Sequence, residues 1–451
     1  MSPEISISPE TPTDTPAPAG GRPNVGLLAF ILSARHDHGA RIFNTDLAAA
    51  GIALLLPWST TGTIILIGLW LVAVSFTLDV KLLADSFKRP FNFWPLALVA
   101  IAIVGTLWSE ANWGARLYAV SPVGKFLVLP FAFYHFARTE RGPLIFKIFL
   151  VSCALQMAAS WIVFFAPSLS LRQDAYEPGV FVKNYIDQSQ EFALCVMGML
   201  FPIASFLRAR RYAGAALLMA LAASFVINMA FVVVSRTALV AMPIMLGVFV
   251  LMHLRWRGIM IVLAATILLG AVGWTASPAL RAVVASSLRQ YDLYETVNEP
   301  TSIGLRIEYW RKSIRFFQQA PLIGHGTGSI EPLFEQAARS TTDKTRAAAD
   351  VTRNPHNQTL NVVVQWGLLG VAILYALWFA HWRLFRGDDL AGWIGLMVVI
   401  QNIIGSLFNS HLFDFTEGWI YVFGVGIAGG MVMRARRGSG AQRDLRRLAT
   451  A

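Results

Sequence analysis

An all-α, polytopic membrane protein is the fold class this sequence predicts, and three observations predict it. Of the 451 residues, 55% are hydrophobic and only 14% charged, while soluble domains carry roughly 25% charge. The apolar residues collect in runs approaching the roughly 20 residues that a membrane-crossing helix needs. These runs lack the alternation of barrel strands, and in lipid only helices and closed barrels satisfy their own backbone groups. The same shortage of charge excludes a soluble enzyme, a coiled coil and a disordered chain. The excess of 37 basic over 26 acidic residues, a net +11, asks first for a topological explanation. No separable soluble basic face is present for nucleic acid. Cys153 and Cys195 both fall inside apolar runs, which leaves no disulfide framework and no Cys-ligated metal site.

Residues 1–42 read as a cytoplasmic tail with a short interfacial helix. The first 24 residues are rich in Pro, Ser and Thr and carry acids in place of a basic n-region, the mark of a disordered tail rather than a cleaved signal peptide. The apolar run 25–34 is too short to span; it lies along the membrane surface or forms a short buried helix. About twelve spans follow, at 43–58, 61–78, 91–108, 120–137, 143–165, 192–207, 213–234, 237–253, 258–274, 358–381, 390–408 and 417–433. Spans one to nine thus occupy residues 43–274 and spans ten to twelve residues 358–433, with a basic cytoplasmic tail at 434–451. With the N-terminus inside, 21 Lys and Arg fall in inside segments, and the short outside loops hold only Arg116, Arg172, Lys183 and Arg236. That bias puts both termini in the cytoplasm.

Residues 275–357 form one long extracytoplasmic segment, and loops of that length are uncommon without a function. Within it, residues 303–319 set Trp310, Ile314 and Phe317 on one helical face and Arg311, Lys312 and Arg315 largely opposite. An amphipathic helix resting on the membrane surface is expected.

This topology sorts the histidines. His36, His38, His135, His253 and His381 fall on or near the inside, and His325, His356 and His411 outside. In Arg353-Asn354-Pro355-His356-Asn357-Gln358, Asn354 reads as an N-cap and Pro355 as the first helical residue, so His356 falls in the first turn. The helix dipole there disfavours imidazolium, and a neutral imidazole at the mouth of a membrane cavity is a candidate general base. An interfacial His at a helix cap is the plainer alternative. Gly324-His325-Gly326-Thr327-Gly328 reads as a glycine-supported turn, without the strand-before, helix-after context of a phosphate loop. Arg236, within Ser235-Arg236-Thr237, is the single charge between Ala213 and Met252. It either snorkels to the surface or binds an anion through its guanidinium fork. Arg306 could supply a second fork, and Arg116 and Lys183 either line the same cavity or are solvated loop charges. Outside acids lie near helix ends, with no Asp-x-Asp pair or Glu-x-x-His ligand spacing. That pattern favours neutralisation of an anion by arginine and no metal. In the last outside loop, His411 and Asp414 are the polar groups most suited to a supporting role, and helix capping is the alternative for Asp414.

Three segments carry a likeness to a known family: Ser-Arg-Thr at 235–237; Leu-Arg-Ile-Glu-Tyr-Trp at 305–310 continuing to Pro-Leu-Ile-Gly-His-Gly at 321–326; and Pro-His-Asn-Gln-Thr-Leu with Trp-Gly-Leu-Leu-Gly at 355–370. Their order, spacing and outside placement resemble the O-antigen ligase and polymerase superfamily, in motifs over the C-terminal half and in topology over the whole chain. The ending His-Leu-Phe-Asp-Phe-Thr-Glu-Gly-Trp at 411–419 is closer to the lipopolysaccharide ligase branch.

The resemblance implies a GT-C-like membrane glycosyltransferase on the periplasmic face of a Gram-negative inner membrane. The donor would be a glycan on undecaprenyl diphosphate, the acceptor a sugar hydroxyl of lipid A–core, and transfer would invert the anomeric centre without metal or cofactor. His356 matches the family's His-Asn motif, with Asn357 beside it, and Arg236 and Arg306 match its Ser-Arg and Leu-Arg motifs as diphosphate ligands. A monomer working among membrane lipids is expected. An O-antigen polymerase or a protein-glycosylating ligase with the same donor is the alternative within the class, and a transporter or flippase the alternative outside it. Against the latter stands the scarcity of charge within the spans.

Overall fold

The computed structural model describes residues 37–171, 177–341 and 345–449, with side chains described through residue 438. Residues 1–36, including the apolar run 25–34, lie outside the described residues. Every regular element among the described residues is helical.

The chain opens with α1 (His38–Leu55), α2 (Thr60–Ser75), α3 (Val80–Phe87), α4 (Pro90–Val104), α5 (Trp113–Val120) and α6 (Leu129–Phe136). Helices α7 (Gly142–Phe165), α8 (Tyr185–Arg208), α9 (Tyr212–Phe231), α10 (Arg236–His253) and α11 (Trp256–Ala276) follow. The long segment folds into α12 (Pro278–Val297), α13 (Ser302–Gln319) and α14 (Ile330–Arg339), and the chain ends in α15 (Gln358–Leu384), α16 (Leu390–Gly405) and α17 (Phe415–Ala449). Among the described residues seven helices are long and apolar enough to cross a membrane, α7 to α11, α15 and α17. Two bent pairs, α2 with α3 at 117° and α5 with the 124–136 helix at 41°, raise the number to nine. All twelve runs read as spans are therefore helical, but length and apolarity support seven to nine crossings. The rest are short, as α4 and α16 are with 15 and 16 residues, or interrupted by polar groups.

The core is built where α17 packs on α6 and α16, α15 on α4, and α8 on α9, α10 and α16. One end is tied by the buried carboxylate of Asp46 on α1. It accepts from Thr139 Oγ1 at 2.9 Å and Arg141 Nη1 at 2.9 Å, and His135 Nε2 lies at 2.8 Å. A buried charge is tolerable when its lone pairs are filled in this way.

α15 is kinked at Gly367, whose φ of +59° and ψ of −156° only glycine adopts readily. The kink frees backbone groups that need new partners, and the 321–326 segment supplies them. His325 N and Gly326 N donate to Val364 O and Gln365 O at 2.9 and 2.8 Å, while Leu368 N donates to Pro321 O at 2.9 Å. Gly324, at φ +66°, lets this segment lie flat on the helix backbone. The glycine-rich stretch around His325 is thus a docking strip for the kink, and His325 Nε2 pairs with Phe316 O at 2.8 Å.

α13 forms where an amphipathic helix is expected, but its buried face differs. Tyr309, Lys312, Ser313 and Phe316 point inward, Trp310 and Phe317 sit at the margin, and Ile314 is 48% exposed. Tyr309 and Phe316 pack on Phe334 of α14 and against α15. Lys312 snorkels so that Nζ reaches Ala348 O at 2.6 Å. α13 therefore belongs to a small second core.

Candidate active site

The connection ahead of α15 places His356. The helix starts at Gln358, and its cap is Asn357, whose Oδ1 accepts from Leu360 N at 3.0 Å. This corrects the expectation that Asn354 is the cap and that His356 lies in the first turn. His356 precedes the helix, with φ +52°, a left-handed conformation that costs a residue with a Cβ about 1–3 kcal/mol. Its neighbours hold it there. Asn354 Oδ1 accepts from His356 N at 2.9 Å and from Ser410 Oγ at 2.7 Å, and Pro355 O accepts from Trp310 Nε1 at 3.1 Å. Asn357 Nδ2 donates to Leu407 O at 3.1 Å.

The ring is oriented as closely as the backbone. Nδ1 lies 2.8 Å from Asn409 Oδ1, which also accepts from Asn354 Nδ2 at 3.3 Å. With that oxygen as acceptor, the hydrogen-bond pattern assigns the proton to Nδ1 and leaves the Nε2 lone pair for a substrate. Tyr309 stacks on the imidazole with centroids 6.1 Å apart and planes 19° from parallel, and its hydroxyl is anchored on Asp350. Burial holds the imidazole pKa below the ordinary 6.5; the Asn409 bond opposes this, and charge on Arg306 and His411 adds to it. Burial and nearby cations therefore favour the neutral ring.

Arg236 is the first residue of α10 and Arg306 lies in α13; both are half-buried. Neither forms a hydrogen bond or an ion pair among the described residues. Burial lowers the Arg306 guanidinium from its usual value, the Tyr185 hydroxyl pulls it back up, and the charge of Arg236 lowers it again. Arg306 thus acts electrostatically on both Arg236 and His356. Two like charges that act on each other, with no carboxylate partner among the described residues, suit an anion.

The remaining expected site residues are engaged by other partners. Arg116 braces backbone, with Nε donating to Ala111 O at 2.7 Å and Nη1 to Thr106 O at 2.9 Å, and its guanidinium covers Trp113. Lys183 is buried: Nζ donates to Leu56 O, reaches Thr416 Oγ1 at 3.2 Å and lies 3.7 Å from Glu191. Neither cation joins the arginine pair by any contact among the described residues. His411 is buried with Nδ1 3.5 Å from both Asp414 and Glu417. Burial opposes the rise in the His411 pKa, but Glu417 and Asp414 prevail; burial and then Glu417 push Asp414 up to about 7.

An acid cluster was not foreseen. α8 starts at Tyr185, seven residues earlier than the apolar run, so Asp187 and Glu191 are helical rather than in a loop. They meet α17, where Thr416 Oγ1 donates to Asp187 at 2.7 Å. Lys125 Nζ closes the group from the other side, donating to Phe413 O at 3.3 Å and to Asp414 O. His411, Asp414 and Glu417 have ligand atoms within 4.8 Å of one another, the spacing that a cation could use. The capping signature Asn184-x-x-Asp187 could have disclosed the early start of α8; nothing local discloses the pairing of α8 with α17. Asn409 and Tyr309 were likewise missed, since neither residue type stands out in a loop or on an amphipathic face.

The fold is that of a polytopic, all-helical membrane protein, with two arginines that lack an ion-pair partner among the described residues and a half-buried histidine on which one of them acts. Residues 221–375 match the family model described as O-antigen ligase, a stretch that contains Arg236, Arg306 and His356. The match covers about a third of the chain and supports membership of the O-antigen ligase superfamily. The chain is also 23% identical over 192 residues to a Haemophilus influenzae protein described as uncharacterized, an alignment covering 41% of this chain and 46% of that protein. The chain therefore spans less than half the length of that relative.

Proposed function

We propose that this protein is an O-antigen ligase, an inverting glycosyltransferase that needs no metal. It would move a glycan from undecaprenyl diphosphate to a sugar hydroxyl of lipid A–core, at the periplasmic face of the inner membrane. The observation that carries the proposal is Arg236, Arg306 and His356: two guanidiniums with no anionic partner among the described residues, one of which acts on a histidine whose pKa is lowered and whose Nδ1 rests on Asn409. In the reaction the acceptor oxygen attacks the anomeric carbon, and the bond from that carbon to the diphosphate oxygen breaks. The hydroxyl proton passes to His356 Nε2, and undecaprenyl diphosphate leaves with the electron pair. Arg236 and Arg306 stabilise the charge that grows on it. Holding both amphiphiles in line supplies the larger part of the acceleration, up to roughly 7–11 kcal/mol for good alignment, and the base adds roughly 100- to 10,000-fold.

The test is the purified protein given lipid-linked glycan and lipid A–core, with a strong chelator in one arm. Joined product in both arms, lost in His356→Ala while donor binding persists, is the expected result. Polymer in place of joined product would make the protein a polymerase, and product that requires added divalent ion would overturn the metal-free mechanism.

A further inference from the structure

A polar cavity of about 380 Å³ lies between α5, α14, α15 and the 410–414 loop. Its volume suits a small-molecule site, about 300–1,000 Å³. The Tyr118 ring on its wall is 60% exposed. The Arg353 guanidinium lies over one face of the Tyr118 ring, 5.1 Å from its centroid, and is fixed by Glu331 Oε2 at 2.7 Å. An exposed aromatic residue capped on one face by a held, planar set of donors matches a pyranose, which has an apolar C–H face and an edge of hydroxyls.

Asn354, Asn361 and Asp414 complete the wall. Asp414 Oδ2 is buried and lies 3.5 Å from His411 Nδ1. Since Arg353 is neutralised by Glu331, the cavity lacks the free cation pair that suits the other site to phosphate. It is nevertheless adjacent to the base: Asn354 lines the cavity and donates to Asn409 Oδ1 at 3.3 Å, the oxygen on which His356 Nδ1 rests.

We propose that this cavity is the acceptor sugar subsite, where uncharged pyranose units are held by Tyr118, Arg353 and the asparagines so that a hydroxyl reaches His356. The inference rests on the ligase reading. Tyr118→Ala should raise the KM for lipid A–core roughly tenfold, the scale of one lost anchoring side chain, and leave kcat and the donor KM within about twofold. Tyr118→Phe, which keeps the ring face, should restore the wild-type value. A rise in donor KM alone would place the donor glycan in the cavity and overturn the proposal, as would no change in either constant.

Binding of core oligosaccharide freed of its lipid, read by saturation-transfer NMR, separates the two claims. If wild type yields no joined product, yet Tyr118→Ala still weakens this binding about tenfold, the sugar site stands and the ligase reading fails. If wild type yields product and Tyr118→Ala changes neither KM nor oligosaccharide binding, the ligase reading stands and the sugar site fails.

Discussion

A histidine serves as a base at neutral pH only if something keeps its proton off, and here that something is burial beside cations. The depressed pKa has a direct consequence for rate. The neutral ring prevails from below 6.5 upward, so activity should be flat across neutral pH and fall only as acid titrates His356 at its lowered value. Asn409→Asp would set a carboxylate against Nδ1 and favour imidazolium, which should move the acid limb of the pH–rate profile upward; an unmoved limb would detach Asn409 from the base. Arg236→Lys should weaken donor use, raising the donor KM, since an ammonium cannot reproduce a planar fork; near-normal donor kinetics would argue against an anion site there. At this scale the sequence was most readable where a residue contradicts its surroundings. Arg236 is a lone charge in an apolar stretch and His356 a titratable group at a helix boundary, so both drew attention. Asn409 is an ordinary loop residue whose role exists only through a partner 53 positions away.

At the scale of elements, the kink in α15 links the glycine strip to the site. Its N-terminal half follows directly from His356, and its freed backbone groups are closed by residues 321–326. Any side chain at Gly367 would collide with the Leu322 carbonyl and force a conformation that glycine alone accepts. Gly367→Ala should therefore lower thermal stability in detergent, by roughly 1–3 kcal/mol for the backbone strain alone, and reduce kcat through loss of alignment at His356. Unchanged melting would remove the structural reason for this glycine. Helix type and order were legible, because apolar runs and caps are local signals. The start of α15 was misplaced by three residues because Asn354 and Asn357 are equally good caps by type, and only the observed Leu360 N bond distinguishes them. The buried stripe of α13 was misread for a similar reason: Lys312 looks solvated by composition, while a long stem lets it sit in the core with its ammonium on backbone carbonyls.

At the scale of the whole molecule, apolarity specifies membrane residence but not the number of crossings. α4 and α16 are apolar yet short, and α2 with α3 turns sharply at Phe76 to Asp79, so hydropathy alone overstates how many runs cross. The acid cluster joining α8 to α17 shows the same limit from another side. Its members are 226 or more residues apart for Asp187 and the 413–417 stretch, and only packing of the bundle brings them together. The central claim is that the arginine pair receives the donor diphosphate within reach of His356. An experimental structure with undecaprenyl diphosphate bound tests it most directly. Phosphate oxygens within hydrogen-bonding distance of both Arg236 and Arg306, with His356 Nε2 facing the sugar-bearing end, are the predicted result; a diphosphate seated away from both guanidiniums would contradict it.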